Sequence, residues 1–386
     1  MSPDLLLVGL SLLTWGLGEA AFFYFQPIYL QQLGADPVQI GLILGIFGIA
    51  MTVVHIPSGY LADRLGRKPL LVAAWGLGVM ATTLMAFATT LPVFVIGMVL
   101  YGLTAFVVSP LNSYITAARG KFTVGRAITL TSAMYNMGAV AGPLLGGYIG
   151  SLLGLRYIYM FAMFAFIAST IIVLFIHPQP LENHDPQRPP GNLLSNQRYL
   201  GFMVIAFISM FSMYLPQPLT PNFLQNERGI TISEIGTIGA VGSLGNVAFN
   251  LVLGYLDARV GFLLGQAASA LFTLFIWRGT GLVWYAMGYF LLGGFRVARS
   301  LVTAQVRGLV HSAQMGLAYG VTETINSLPI ILAPPVAGYL YSLNPEMIYP
   351  IAFVAACLSI IISWRFAPRT SMISSVEEIV LPVQSE

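Results

Sequence analysis

Gly59-Tyr60-Leu61-Ala62-Asp63-Arg64-Leu65-Gly66-Arg67-Lys68-Pro69-Leu70-Leu71 is a dense charged knot set between two apolar runs, residues 38–58 and 69–88. Asp63, Arg64, Arg67 and Lys68 put four charges into six residues. None of them can rest in hydrocarbon, where a charge at the centre of a span costs ~3 kcal/mol on insertion scales. The knot is therefore a short turn, and the apolar runs on either side are the membrane helices it joins. Gly59 and Gly66 let those helices approach closely, and Asp63 is placed to cap a helix end or pair with the neighbouring arginines.

The rest of the chain has the same character. Of its 386 residues 57% are hydrophobic and 8% charged, about a third of the ~25% found in soluble domains. This is the composition of an integral membrane protein. The net charge of +3 comes from lysines and arginines scattered at loop positions, which excludes a nucleic-acid partner. Cys357 is the single cysteine and sits in an apolar run, so neither an intramolecular disulfide nor a cysteine metal cluster is available. Phosphate-cradling glycine loops, metal-ligand clusters and nucleophile elbows do not occur, so neither an enzyme nor an ATP-driven pump is expected, and no cofactor. The first apolar run starts near Leu5 without a basic region or a cleavage signal. It continues for about twice the length of a signal core and reads as a retained first helix.

Windows of roughly 20 apolar residues predict twelve spans: 5–33, 38–61, 69–88, 91–117, 125–150, 156–177, 198–223, 233–256, 262–278, 282–306, 315–341 and 347–367. This divides the chain into an N-terminal six-helix bundle (1–177), a polar, proline-rich cytoplasmic linker (178–197), a C-terminal six-helix bundle (198–368) and a cytoplasmic tail (369–386). With both termini inside, the inner loops and ends hold Arg64, Arg67, Lys68, Arg119, Lys121, Arg126, Arg188, Arg198, Arg259, Arg307, Arg365 and Arg369, against Arg156, Arg228 and Arg278 outside. Basic residues accumulate on the cytoplasmic side, and this imbalance predicts a multi-pass protein of the cell's inner (plasma) membrane with both termini cytoplasmic.

The two halves repeat. A shift of 195 lays Gly254-Tyr255-Leu256-Asp257-Ala258-Arg259-Val260-Gly261 under residues 59–66, with glycine, tyrosine, leucine, arginine and glycine coinciding. A shift of 191 aligns Gly142–Tyr148 with Ala333–Tyr339. Such repeats build alternating-access carriers.

The knot resembles, position for position, the G-x-L-A-D-R-x-G-R-K-x-x-L signature of the major facilitator superfamily, which lies between that family's second and third helices, as it does here. The resemblance implies an all-α fold of twelve transmembrane helices in two pseudo-symmetric six-helix bundles with a midplane site between them. It also implies that Gly59, Asp63, Arg64, Gly66, Arg67 and Lys68 form a conformational latch, locking and releasing the cytoplasmic contact between bundles. Asp63→Asn should then slow turnover in a transport assay while leaving substrate affinity largely intact, and an equal loss of affinity would count against the latch.

In the fifth span, Gly138, Gly142, Pro143, Gly146 and Gly147 give a flat face for helix packing and a proline expected to bend the helix. The segment resembles the superfamily's G-x-x-x-G-P-x-x-G-G motif, associated with proton-antiporting drug exporters and given a conformational role. The alternative is helix packing alone. One departure is that the drug-exporting branch carries an arginine in the fourth helix four residues before a glycine, where Met98 stands before Gly102.

Four ionisable residues lie deep in spans: Glu19 in the first, Arg296 and Arg299 three apart in the tenth, and Glu323 in the eleventh. Burying them is costly, so they face a cavity or one another. The resemblance places the first, fourth, seventh and tenth helices around the central cavity. A carboxyl out of water favours its neutral form and a nearby arginine favours its charged form, so relative movement would switch protonation. Proton exchange at Glu19, and at Glu323, is one reading; static pairing, such as Arg299 with Glu323, is the other. Trp15, Phe22, Phe23, Tyr24, Asn112, Tyr114, Tyr135, Asn136, Tyr214, Gln217, Asn246, Asn250 and Asn326 are the remaining candidates for the cavity wall, the amides serving either as ligand contacts or as glue between helices. His55 reads as a satisfied polar residue near the knot and His311 as a solvated loop residue.

These features point to a secondary active transporter, working as a monomer on a small-molecule substrate, with proton-coupled export of amphipathic or drug-like compounds as the expected activity. A carrier for a small organic anion or sugar, with Arg296 or Arg299 holding a carboxylate, is the alternative. A non-transporting receptor or channel would have no use for a latch.

Overall fold

The computed structural model describes residues 2–54, 66–179, 193, 196–253, 255–306, 308–310 and 315–368, with the backbone alone for 315–317. The described residues form twelve successive spans: α1 (Pro3–Phe23, continued by Gln26–Gln32), α2 (Pro37–Val53), α3 (Arg67–Phe87), α4 (Leu91–Leu103, a 3-10 turn Thr104–Val107, then Val108–Ala117), α5 (Val124–Leu152), α6 (Leu155–Leu174), α7 (Gln197–Tyr214 and Thr220–Asn226), α8 (Ile232–Leu253), α9 (Ala258–Arg278), α10 (Leu282–Leu291 and Gly293–Val306), α11 (Met315–Leu343) and α12 (Ile348–Phe366). Seven of these helices are individually long and apolar enough to cross a membrane. The others are divided, short or carry polar residues, for reasons that belong to the site.

Local chemistry sets the ends. Ser2 caps α1 with Pro3 at the first position, Asp36 and Gln39 form a capping box at α2, and Thr123, Asn196 and Asp257 cap α5, α7 and α9. Between α5 and α6 only Leu153 and Gly154 intervene, and Gly154 turns the chain at a φ of 103° that a side chain would resist.

Within the N-terminal bundle α5 lies against α1 along Gly138, Gly142 and Gly146. A methyl group at Gly142 would stand 2.6 Å from the Leu17 carbonyl oxygen, and one at Gly138 or Gly146 would overlap the carbonyls of Leu13 or Ala21. The glycine stripe therefore lets two backbones touch. Pro143 lies inside a helix assigned without interruption from Val124 to Leu152. Behind α1, Trp15 stacks on Phe166 at 4.1 Å and meets Trp75 at 5.0 Å. Trp75 Nε1 donates to Ser169 Oγ (2.7 Å), which donates to the Ser11 carbonyl (2.6 Å). The C-terminal bundle has its own buried polar core, where Gln266 on α9 links Ser359 and Ser363 on α12, which in turn bond Ser212 and Ser209 on α7. Each bundle is thus keyed by hydrogen bonds that hydrocarbon cannot replace.

The bundles meet in two glycine-lined seams. Along α2 and α11, methyl groups at Gly45 and Gly48 would stand 2.9 Å from the carbonyls of Ile331 and Ile330, and one at Gly41 would overlap that of Pro334. Along α5 and α8, a methyl group at Gly236 would overlap the Pro143 carbonyl and stand 2.8 Å from Gly147 Cα. The α5–α8 seam lies in the halves of its helices farthest from the chain termini, and the α2–α11 seam runs from that end to just past the middle of α2. A third contact joins α1 to α7 at the far end, where Asn222 Nδ2 donates to the Pro27 carbonyl (3.1 Å) and to Gln31 Oε1 (2.7 Å). Tyr24 closes the floor with its ring 5.9 Å from that of Tyr289. Toward the termini, Arg126, Thr129 and Ser132 on α5, Arg296 and Ser300 on α10, and Glu323 and Thr324 on α11 are exposed. Among the described residues, the bundles thus close on one another at the far end and present exposed polar side chains at the terminus end.

Candidate transport site between the bundles

The divided spans are α1, α4, α7 and α10. Each division has a local cause or marker. Pro216 and Pro218 remove donors from α7. In α4 the Thr104 hydroxyl bonds the Tyr101 carbonyl (2.7 Å) where the helix tightens into its 3-10 turn. The α10 helix pauses at Leu292 beside Gly293 and Gly294, and α1 at Tyr24 and Phe25, just before Pro27. Irregular backbone at membrane depth is tolerated where it is enclosed by protein or lines a cavity.

Glu19 sits on α1 before its break and is half-buried. The Tyr135 hydroxyl on α5 donates to its Oε2 at 2.8 Å, and Tyr101 on α4 is its second aromatic neighbour. From the other bundle, Arg296 acts electrostatically on both Tyr135 and Tyr214. Arg296 is exposed, and among the described residues no acid pairs with it. Arg299 is different. Its Nη2 donates to Glu323 Oε2 (3.2 Å) and Ser327 Oγ (3.3 Å), while Thr303 Oγ1 donates to Glu323 Oε1 (3.0 Å). Two arginines three residues apart thus stand in opposite situations, one neutralised between α10 and α11 and one facing the opening.

The remaining candidates scatter. Tyr135 and Tyr214 stand beside the charged groups, Tyr214 packing on Phe295 at 5.5 Å. Tyr24 belongs to the far-end seal and neighbouring Phe23 is exposed. Trp15, Phe22 and Tyr114 do not face the opening. Trp15 and Phe22 are packed inside the N-terminal bundle, Phe22 against Tyr101 and Tyr159, and Tyr114 donates to the His177 carbonyl at 2.8 Å. Asn136 and Gln217 bond carbonyls of their own helices, Asn250 bonds Asn246, and Asn112 is exposed. Asn326 is 1% exposed, and neither its Nδ2 nor its Oδ1 has a partner.

Of the charged knot, Gly59, Asp63 and Arg64 lie outside the described residues, as do His55 and His311. Gly66 turns into α3 at a φ of 81°, Lys68 lies in the first turn, and Arg67 Nη1 donates to Gln179 Oε1 (3.2 Å), tying the knot to the start of the linker. Tyr101, Gln31, Asn222 and Tyr289 are not among the residues singled out above. Tyr101 and Tyr289 are aromatics on the fourth and tenth helices, which the resemblance places around the cavity, whereas the Gln31–Asn222 pairing has no local signal in the sequence. Among the described residues no three His, Cys, Asp or Glu side chains gather as a metal site.

Two six-helix bundles that meet along glycine seams, with four divided helices, have the architecture of a membrane carrier rather than an enzyme. A family model described as Major Facilitator Superfamily matches residues 7–201 and 202–379, and the chain belongs to that family. Its relatives include an uncharacterized MFS-type transporter of Methanocaldococcus jannaschii, 30% identical over 173 residues, an alignment spanning 45% of either chain. The quinolone resistance protein NorA of Staphylococcus aureus is 22% identical over 346 residues, 86% of this chain and 88% of that one. Among solved structures, a variant of the nucleoside transporter NupG superposes with a TM-score of 0.82 at 15% identity, covering 95% of this chain and 100% of the other.

Proposed function

We propose that the chain is a proton-coupled exporter of amphipathic, drug-like small molecules, acting as a monomer in the cell's inner (plasma) membrane with both termini cytoplasmic. The observation that carries the reading is Glu19, a carboxyl at membrane depth held by Tyr135 at 2.8 Å beside the opening between bundles. Ionisable groups in such positions are costly and mark proton or substrate paths. The glycine-rich face of α5 and the likeness to a quinolone resistance protein support drug export. With Met98 in place of the arginine of the drug-exporting branch, coupling on this reading runs between α1 and α10. The knot at residues 59–71 serves as the cytoplasmic latch, residues 1–177 and 198–368 as the moving bundles, and 178–197 as the linker between them. The state described here is then the one open to the cytoplasm. A carrier for a small organic anion or sugar is the second reading, and exposed Arg296 is the feature that favours it.

A thermal-shift screen of detergent-purified protein separates the two. Lipophilic cations, sugars and carboxylates are tested at two pH values, because a ligand of the folded state at about a hundred times its Kd adds ~2.7 kcal/mol of stability. Lipophilic amines should raise the melting temperature in a pH-dependent way. Stabilisation by sugars or simple carboxylates alone would overturn the exporter reading.

A further inference from the structure

Besides Arg126 and the Arg299–Glu323 pair, the described residues put two charged groups of opposite sign between the bundles, Glu19 on the N-terminal one and Arg296 on the C-terminal one. Glu19 and Tyr135 stand on the N-terminal side, and Arg296 acts on Tyr135 from the C-terminal side. Yet no ion pair joins Glu19 to Arg296. The neighbouring pair shows that this chain neutralises an arginine when it needs no ligand for it, since Arg299 takes Glu323 and Ser327 one turn away. A lone charge at membrane depth costs roughly 2.5–3.5 kcal/mol on insertion scales, and here neither Glu19, whose carboxylate accepts from the Tyr135 hydroxyl, nor exposed Arg296 is joined to a group of opposite charge. A ligand of one sign would neutralise one and strand the other. A ligand carrying both signs answers both.

We infer that the central site is built for amphoteric ligands, with a protonated amine held at Glu19 among the rings of Tyr135 and Tyr101, and a carboxylate held by the planar fork of Arg296. The aromatic rings add cation–π attraction to the amine side, and a guanidinium binds a carboxylate through two parallel hydrogen bonds. The assignment rests on the proposed reading of this opening as the transport site. It narrows drug-like amphipathic molecules to those with an amine at one end and an acid at the other. It also gives Arg296, rather than Arg299, the anion-binding role.

The test is a matched set of probes that differ only in charge: a piperazinyl quinolone carboxylic acid, its methyl ester, its N-acetyl derivative and the N-acetyl methyl ester. Binding to the purified full-length protein at neutral pH is read by quenching of tryptophan fluorescence. Each charge-assisted contact is expected to contribute about tenfold in affinity, so the zwitterion should bind about tenfold tighter than either singly charged probe. Arg296→Gln should bring the zwitterion down to the level of its ester while leaving the ester unchanged. Glu19→Gln should bring it down to the level of the N-acetyl acid. Arg296→Lys, which keeps the charge without the fork, should retain part of the advantage and controls for folding. If ester and zwitterion bind alike, or Arg296→Gln weakens all four probes equally, the amphoteric assignment falls and the exporter reading stands. If none of the four binds the wild-type protein, both fall together.

Discussion

Glu19→Gln is expected to reduce transport driven by an imposed proton gradient in proteoliposomes to about a hundredth, while substrate-for-substrate exchange at saturating substrate, where a tenfold loss of affinity does not limit the rate, stays within about threefold of wild type. Glutamine preserves the size of the side chain and can still accept from the Tyr135 hydroxyl, which approaches Oε2 at 2.8 Å. What it cannot do is carry a proton. Gradient-driven uptake should fall by about two orders of magnitude, equivalent to ~2.7 kcal/mol. Tyr135→Phe removes one hydrogen bond from the carboxylate and should cost ~1–2 kcal/mol, an intermediate loss. Undiminished driven transport in Glu19→Gln would remove Glu19 from proton coupling and return it to the role of a static pairing group.

The second large effect is conformational. Gly41→Ala places a methyl group into the Pro334 carbonyl across the α2–α11 seam, and Gly236→Ala does the same to the Pro143 carbonyl across the α5–α8 seam. Overpacking of this kind costs roughly 1–3 kcal/mol. That cost applies only while the far end is shut, because an open far end separates the two carbonyls from the added methyl. Either variant should therefore shift the population toward the far-end-open state by about 5- to 150-fold. With Cys357, the single native cysteine, replaced by serine, a cysteine at Tyr24 would report the shift through faster labelling by a membrane-impermeant maleimide. Gly76→Ala, where nothing lies within 4 Å of an added methyl, is the control and should label as slowly as the parent. Equal labelling in all variants would show that the seams do not hold the seal.

Much of this architecture is legible in the sequence because hydrocarbon is a strict solvent. A span predicted at 125–150 is found as Val124–Leu152, and one predicted at 262–278 as Ala258–Arg278. The interruptions are not legible in the same way. Residues 5–33 read as one apolar run, but the backbone breaks at Tyr24 and Phe25, where nothing in hydropathy marks the change. The deep charges stand out because each is costly to bury; Glu19 is half-buried against Tyr135, Arg299 pairs with Glu323, and Arg296 is exposed. Aromatic residues carry no such signal. Trp15 and Phe22 are seven apart and so share one helical face, but in a span apolar all round that face can turn to lipid, cavity or bundle core. Here it packs on α3, α4 and α6. The knot that decides the fold is read from residues whose own placement is only partly described, with Gly66, Arg67 and Lys68 at its visible edge.

The far-end seal has an electrical consequence. Among the described residues, the groups that join the bundles there are glycines, carbonyl oxygens, Tyr24, Tyr289 and the amides of Gln31, Asn222 and Asn226, none of which bears a formal charge. Parting them moves no charge through the membrane field, where each elementary charge is worth about 2.3 kcal/mol per 100 mV. The gate itself is then blind to the membrane potential. Any voltage dependence of the transport cycle has to originate at the middle of the membrane, with Glu19, Arg296 and whatever they hold.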